Sequence, residues 1–269
     1  MSFYDLPKEE RALLVLKIKD GILHAITRHK TQPLLSYFAD EDTYIRKAAY
    51  LSVGRIYFSE EQWRPLLLER LAQLAVHDDF KVRQTVINAA GEIGKGDFDA
   101  VQAFFDQGLF DSHHSPRNAV IGSIKKMGEV NPKPVLRWAQ KYLHHPDKEI
   151  RREICHGIEL RGRKHPEDIL PLLMELQFDR TARVYNTLVH VLGQIAYKPG
   201  CLEKVIAALQ GWENQSLAKD ALEEIIDVHQ RYHNFSHYTR EQAIQYIQQH
   251  YRPRAKSASS DSGSRLRIR

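Results

Sequence analysis

The sequence predicts an all-α fold, a right-handed α-α superhelix of about six helical hairpins. Three observations carry it: a constant stride, a constant apolar pattern within each stride, and glycine at a constant place near its end. The pattern is fullest at Pro146-Asp147-Lys148-Glu149-Ile150-Arg151-Arg152-Glu153-Ile154-Cys155-His156-Gly157-Ile158. Steps of 34 residues from Arg151 reach Arg117 and Arg83 upstream and Tyr185 and Lys219 downstream, and Arg46 lies 37 residues before Arg83. Three places after each marker stands Ala49, Val86, Val120, Ile154, Leu188 or Leu222, and seven places after stands Val53, Ala90, Ile124, Ile158, Leu192 or Ile226. Ten places after, Ile56, Ile93, Met127 and Ile195 continue the column, which Arg161 and His229 break. Offsets of three, seven and ten fall on one face of an α-helix. Gly94, Gly128 and Gly162, eleven places after their markers, are expected at helix C-caps. A fixed period of this size marks stacked repeats rather than a globular domain.

The elements follow in order. Residues 6–30 read as one or two capping helices, with Leu13, Leu14, Leu16, Ile18 and Ile22 on the apolar side. The first hairpin sets Leu34, Leu35 and Phe38 on an outer helix and Tyr44 to Ile56 on an inner one. Ser59 before Glu60-Glu61-Gln62 reads as the N-cap of the next outer helix, which carries Trp63, Leu66, Leu67 and Leu71. His77-Asp78-Asp79 turns the chain into the second inner helix. The third turn departs from the others, with Phe110-Asp111-Ser112-His113-His114-Ser115-Pro116 in place of an acidic stretch. Pro132 opens the helix of Val135, Leu136, Trp138 and Leu143, and His165-Pro166 opens that of Ile169 to Leu176. Tyr197-Lys198-Pro199-Gly200 is a turn, and a closing helix runs from about Thr239 to Tyr251. Trp63 and Trp138 are expected to pack outer helices rather than to stack on a ligand. Residues 1–251 thus form the solenoid, and 252–269, rich in Ser, Gly, Arg and Lys, are expected to be a basic disordered tail.

Composition limits the functional classes. Hydrophobic residues make up 42% of the chain, enough for a continuous core, yet no apolar run approaches the roughly 18 residues of a membrane span. The first residues lack the pattern of a signal peptide. The two cysteines, Cys155 and Cys201, have no metal-type spacing and are expected as reduced thiols, hence a cytoplasmic setting. The net charge is +5, but six basic residues and one acid lie in 252–269, which leaves the body neutral. Within the body, residues 116–165 hold twelve Lys or Arg against five Asp or Glu. A basic waist between acidic ends is expected to steer partners.

Asp42/Arg46, Asp79/Arg83 and Asp147/Arg151 repeat an aspartate four places before an arginine. In these columns the chain resembles the HEAT-repeat family over roughly residues 32–230, so the superhelix is expected to be a HEAT-like solenoid, armadillo-like in outline. The resemblance implies that the Asp and Arg residues form a ladder between neighbouring repeats. Tyr185 and Lys219 break the column, so the ladder is expected to weaken towards the C-terminal end.

With one face of each inner helix in the core, offsets one, five and eight point elsewhere. Gln84, Asn118, Arg152 and Asn186 stand at offset one, Asn88, His156 and His190 at offset five, and Lys125 at offset eight. Gly54, Gly91 and Gly193 at offset eight are expected to allow close approach of a ligand. These residues form the candidate concave binding face, since inner helices of a solenoid line a surface suited to an extended partner. A basic patch is expected from Lys126, Arg161, Arg163 and Lys164 beside Lys125 and Arg152.

Trp138-Ala139-Gln140, Pro146 to Arg152 and His165-Pro166-Glu167 also resemble the central part of the HEAT-like DNA alkylation-repair glycosylases. That resemblance implies duplex DNA on a basic concave face and DNA repair by base excision. The family's tryptophan-rich cluster would fall near Phe110–Pro116, which has no tryptophan, and no catalytic role passes to Asp111. His229, His233 and His237 have spacing that can bring metal ligands together, but Asn234-Phe235-Ser236 reads as a turn, so solvated helix ends are expected instead. No catalytic residue, metal or cofactor is expected. The function read from the sequence is a non-catalytic scaffold holding a protein or peptide partner. The alternative is a DNA-binding protein of the alkylation-repair type. A repeat-type lyase subunit that handles a cofactor on a partner protein has no particular residue behind it. The tail is expected to tether the chain to an acidic or anionic partner.

Overall fold

A computed structural model describes residues 3–28 and 30–253. Fifteen α-helices and no strand occur among the described residues. The residues expected as a disordered tail lie, from 254 on, outside the described residues. The stack opens with α1 (Lys8–Thr27), one continuous helix. Six hairpins follow, each an outer helix and then an inner one: α2 (Gln32–Phe38) with α3 (Thr43–Ser59), α4 (Arg64–Ala75) with α5 (Phe80–Gly94), and α6 (Gln102–Gly108) with α7 (His114–Val130). Next come α8 (Pro132–Gln140) with α9 (Lys148–Gly157) and its short continuation α10 (Glu159–Gly162), α11 (Pro166–Glu175) with α12 (Ala182–Gln194), and α13 (Cys201–Leu209) with α14 (Gln215–Arg231). The closing helix α15 (Arg240–His250) starts on a capping box between Thr239 and Gln242. No described helix is long and apolar enough to cross a membrane.

The inner helices pack on one another far more closely than the outer ones do. A stack that is tighter on one side must curve towards it, so the inner layer is the concave one. The offset columns form the core: Ala49, Val86, Val53, Ala90, Ile93 and Met127 are fully buried. One apolar cluster runs from Ile18 to Ile247. Leu13 and Leu16, expected on the buried side of α1, are instead exposed, because α1 ends the stack and turns Ile18, Ile22, Ala25 and Ile26, with Leu14, Val15 and Leu23 beside them, to its neighbour. Trp138 is buried and its Nε1 donates to Asp106 Oδ1 at 2.6 Å, while Trp63 Nε1 donates to Glu60 Oε2 at 3.1 Å. Ser59 does not cap α4. It ends α3 with its hydroxyl on the Ile56 carbonyl, and a 3-10 turn, Glu61–Trp63, leads into α4.

Two sequence expectations shift. Leu222 and Ile226 are only partly buried, whereas Ala221, Ile225 and Val228 are completely buried. The marker of the last repeat is therefore Ala218, 33 residues after Tyr185. The N-caps agree: Asp42, Asp79, His113, Asp147, Thr181 and Asn214 each stand four places before a marker. His229 then occupies the glycine column, buried, with Nδ1 2.8 Å from the Ile225 carbonyl. It is neither a solvated helix end nor gathered with the exposed His233.

The glycines, second, are not C-caps. Gly128 lies inside α7, Gly94 and Gly162 are the last residues of their helices, and Gly200, before α13, is the described glycine with a positive φ, 70°. Close packing selects Gly94 and Gly162 instead, whereas a Cβ on Gly128 would meet nothing nearer than 3.8 Å. A Cβ on Gly94 would lie 2.3 Å from Met127 Sδ, and one on Gly91 would lie 2.5 Å from Ser123 Oγ. Gly54, Gly91 and Gly193, expected to face a ligand, likewise face the next inner helix.

The repeat is locked at its turns. Asp42, Asp79 and Asp147 accept the backbone N–H two residues on, and His113 caps α7 in the same way through Nδ1, 3.1 Å from the Ser115 nitrogen. Two places before each cap, Asp40, His77, Asp111, His145 or Asp179 accepts the N–H of the cap residue. The marker arginine reaches back to the carbonyls of the same turn: Arg46 to Asp40 and Glu41, Arg83 to His77 and Asp78, Arg117 to Asp111, Arg151 to His145 and Pro146. Where the next turn carries aspartate, the same guanidinium crosses to it. Arg83 meets Asp111 at 2.7 and 2.9 Å, and Arg151 meets Asp179 at 2.5 and 3.3 Å. Where the next turn carries His77 or His145, Arg46 and Arg117 form no such rung among the described residues. The ladder has rungs at alternate repeats, formed with the turn aspartate 28 residues on and not with the capping aspartate.

Arg83→Ala leaves Asp111, whose side chain is 9% exposed, without its charge partner, and should cost about 3 kcal/mol in urea unfolding. Arg46→Ala loses only bonds to carbonyls and should cost about 1 kcal/mol. Equal losses would show that the rung adds nothing to the turn.

Candidate functional site: the concave face

The middle of the concave layer is built where α9 gives way to α10. The helix breaks at Ile158, which stays in the core column, and α10 restarts at Glu159. His156 and Glu159, three apart on one face, turn towards Lys125 on α7 and His190 on α12. Lys125 Nζ lies 2.8 Å from His156 Nε2 and 3.3 Å from Glu159 Oε2, and His156 Nε2 lies 3.1 Å from the same oxygen. Arg163 holds the other oxygen, Oε1, and Nη2 of Arg163 donates to Gln194 Oε1 at 3.0 Å. His190 stands edge-on to His156 with ring centroids 6.3 Å apart, and its Nδ1 is 3.5 Å from Glu224 Oε1.

Glu159 is 1% exposed. Burial by itself would raise its pKa. The hydrogen bond with His156 and the charges of Lys125 and Arg163 outweigh burial and bring the carboxyl down to about 2. Glu159 therefore ties its repeat to Lys125 of the one before, and Arg163 carries the network on to Gln194 of the next. Burial pushes the Cys155 thiol beside it upward, and Cys155 and Cys201 are both buried free thiols.

Of the residues expected on the concave face, Lys125, His156 and His190 meet in this network. Gln84 and Asn88 lie two inner helices away, in a recess of about 280 Å³ with Lys47 and Tyr50. Asn118 and Arg152 line a larger recess, about 630 Å³, between α7 and α9. Asn118 and Asn186 are exposed and make no hydrogen bond with another described residue.

The expected basic patch does not assemble. Arg161 bonds Asp168 Oδ2 at 2.7 Å and the Glu129 carbonyl, Lys164 bonds Glu129 Oε1 at 3.0 Å, and Arg163 belongs to the Glu159 network. Arg152 is shared by Glu149 and Glu153. Lys126 alone of the expected six is exposed without a described acidic partner. Acids from the flanking segments, Asp168 and Asp179 among them, fold onto the basic waist. The sequence reading missed Glu159 and Glu153 because acids on an inner helix read as solvated. The offset of three from His156 was the available signal for Glu159.

His156, Glu159 and His190 offer donor atoms within 4.8 Å of one another, a set that suits a divalent metal. Lys125 Nζ already supplies a positive charge at that point, and Arg163 a second. An ion would have to displace Lys125, and the lysine arrangement accounts for the geometry by itself.

Residues 31–125 match the family model for HEAT repeats. That stretch is built of HEAT repeats. No curated protein matches the sequence at a significant level. Among solved structures, an engineered protein is 17% identical at a TM-score of 0.35, covering 74% of this chain and 97% of its own. The CpcE–CpcF complex of phycocyanin lyase from Nostoc sp. PCC7120 is 14% identical at a TM-score of 0.35, covering 92% of each chain. A designed armadillo repeat protein in complex with a (KR)4 peptide is 18% identical at a TM-score of 0.27, covering 81% of this chain and 94% of that one. At these scores the likenesses carry no argument about what this chain binds.

A carboxyl lowered on folding stabilises the fold above its unfolded pKa, and that stabilisation is lost as pH falls through the folded value. For Glu159 the window runs from 4.5 down to about 2, and Asp111 and Asp179 are lowered in the same direction once their arginines outweigh burial. Glu159→Gln should remove on the order of 2 kcal/mol at neutral pH and flatten the acid limb of the urea-unfolding stability curve. An unchanged acid limb would show that the carboxylate is not held by its partners.

Proposed function

We propose that the protein is a non-catalytic HEAT-repeat scaffold whose concave face holds an extended protein or peptide. The observation that carries this reading is the offset-one row. Lys47, Gln84, Asn118 and Asn186 present one polar side chain per repeat at a constant place on α3, α5, α7 and α12. Lys47, Asn118 and Asn186 are exposed and without a described partner. Amides that both donate and accept suit peptide backbone. Neighbouring packed helices lie about 8–10 Å apart, and three residues of an extended chain advance about 10 Å. Every third residue of a bound strand thus meets the next repeat. Two recesses on the same row, beside Tyr50 and beside Asn118, accept side chains.

Nucleic acid is disfavoured by the charge pairing. Phosphate recognition needs several cations on one surface, and Lys125, Arg152, Arg161, Arg163 and Lys164 each already hold a carboxylate.

Asn118→Trp with Asn186→Trp should abolish partner capture by the immobilised chain, while Lys133→Glu with Arg137→Glu on outer helix α8 should leave it unchanged. Loss with the α8 variant alone would move the binding face to the convex side. Labelled duplex DNA should bind residues 1–251 no better than a non-specific surface, with a shallow salt dependence. A steep salt slope would favour nucleic acid instead.

A further inference from the structure

The recess between α7 and α9 contains an unanswered carboxylate. Glu153 is 5% exposed, and its side chain lines the recess with Phe110, Arg117, Asn118 and Asp147. Glu153 Oε1 receives Arg152 Nη2 at 3.4 Å, a long bond, and Oε2 is buried without any hydrogen-bond partner. A buried charged oxygen left without a donor is a cost that a fold removes where it can.

The neighbouring cations do not remove it. Arg152 turns Nε to Glu149 at 3.0 Å, Arg183 Nη1 lies 3.0 Å from Glu149 Oε1 as an ion pair without a hydrogen bond to it, and Arg117 is engaged by the Asp111 carbonyl of its own turn. Burial raises the Glu153 pKa, and the charges of Arg152 and Arg117 only partly offset it. The lining holds four acids, Asp111, Asp147, Glu149 and Glu153, against three arginines, Arg117, Arg152 and Arg183. Asp111 is held by Arg83 from outside the lining, so the remaining charges balance, three acids against three arginines, and what the recess lacks is a donor for Glu153 Oε2. It also opens beside Phe110, an aromatic ring that is 51% exposed. A planar, weakly hydrated guanidinium can both donate to a carboxylate and lie against such a ring, which an ammonium does less well.

We propose that this recess is the anchor subsite for one arginine side chain of the extended partner, with Glu153 as its carboxylate. The proposal rests on the concave-face reading, because Asn118 and Arg152 of the offset-one row form the rim. It goes beyond that reading in fixing the chemistry of one partner residue and its place between the third and fourth hairpins.

The test uses the full chain and three fluorescent octapeptides of Gly and Ser with two central residues that are both Arg, both Lys or both Glu, followed by anisotropy. The Arg peptide is expected to bind best, the Lys peptide several-fold more weakly and the Glu peptide not at all. Glu153→Gln should weaken the Arg peptide about tenfold or more, the scale of a lost charge-assisted hydrogen bond. The same variant should keep or raise the Tm, since it removes a buried charge that lacks a donor. A fallen Tm together with unchanged Arg-peptide affinity would show Glu153 to be a structural partner of Arg152 and overturn the proposal. Preference for the Glu peptide would also overturn it, by assigning the recess arginines to a carboxylate. Asn186→Trp separates the two readings. If it weakens capture of the natural partner and Glu153→Gln does not, the scaffold stands and the arginine subsite falls. If neither variant weakens capture, both readings fall.

Discussion

The structure depends on the arginine that begins each of the first four core columns, Arg46, Arg83, Arg117 and Arg151. Its guanidinium gathers the carbonyls of the turn that leads into its own helix, groups that would otherwise end a helix unsatisfied. At Arg83 and Arg151 the fork also reaches the aspartate of the next turn, so one side chain fixes the entry angle of its helix and the offset of the following hairpin. The five donors of a guanidinium make this possible, and a lysine could not serve both sides. The turn residue decides whether the second contact forms. An aspartate at 111 or 179 accepts both the cap N–H and the arginine, whereas a histidine at 77 or 145 has its Nδ1 filled by the cap N–H.

The alternation leaves the repeats unequal. Between the turn at Asp111 and that at Asp179 the inner layer carries the Glu159 network, the broken helix α9–α10 and the recess beside Glu153. Arg117 has no carboxylate in the next turn to hold it, and the recess opens there, on the side of α9 away from the Arg151–Asp179 rung. Glu159 and Glu153 show how environment separates two acids of one inner layer. Glu159 is met by three partners and stays charged. Glu153 is buried with half of its carboxylate unmet, and that imbalance suits a guest better than a resident.

The basic waist makes the complementary point. Twelve basic residues in fifty look like a surface for polyanions when read along the chain. Folding brings Asp168 and Asp179 across to Arg161 and Arg151, and Glu129 and Glu159 of the waist itself engage Lys164, Lys125 and Arg163. Lys126, Lys133, Arg137, Lys141 and Lys148 meet no described acid, so pairing consumes part of the waist and not all of it.

The architecture was legible because each repeat obeys a local rule: an N-cap, an apolar residue three, seven and ten places after the marker, and a short turn. Ala49, Val86, Val120 and Ile154 are buried where the columns placed them, and Trp138 packs an outer helix. The slip at Lys219 arose because the stride shortens by one residue, and the capping Asn214 would have corrected it. The glycine columns were read as caps because a glycine near a helix end looks alike whether it turns the chain or admits a neighbour. At Gly94 the answer depends on Met127, one repeat away. The same limit covers the site. His156 and Arg163 meet Glu159 three and four residues away along the chain, but that Lys125, 34 residues before it, meets the same carboxylate is set by the stacking of α7 on α9 and α10. Sequence periodicity determined the solenoid and the face that is buried. Only the stacking of hairpins decided which charges are consumed and which are left for a partner, because a charge pair depends on distance between repeats and not on order along them.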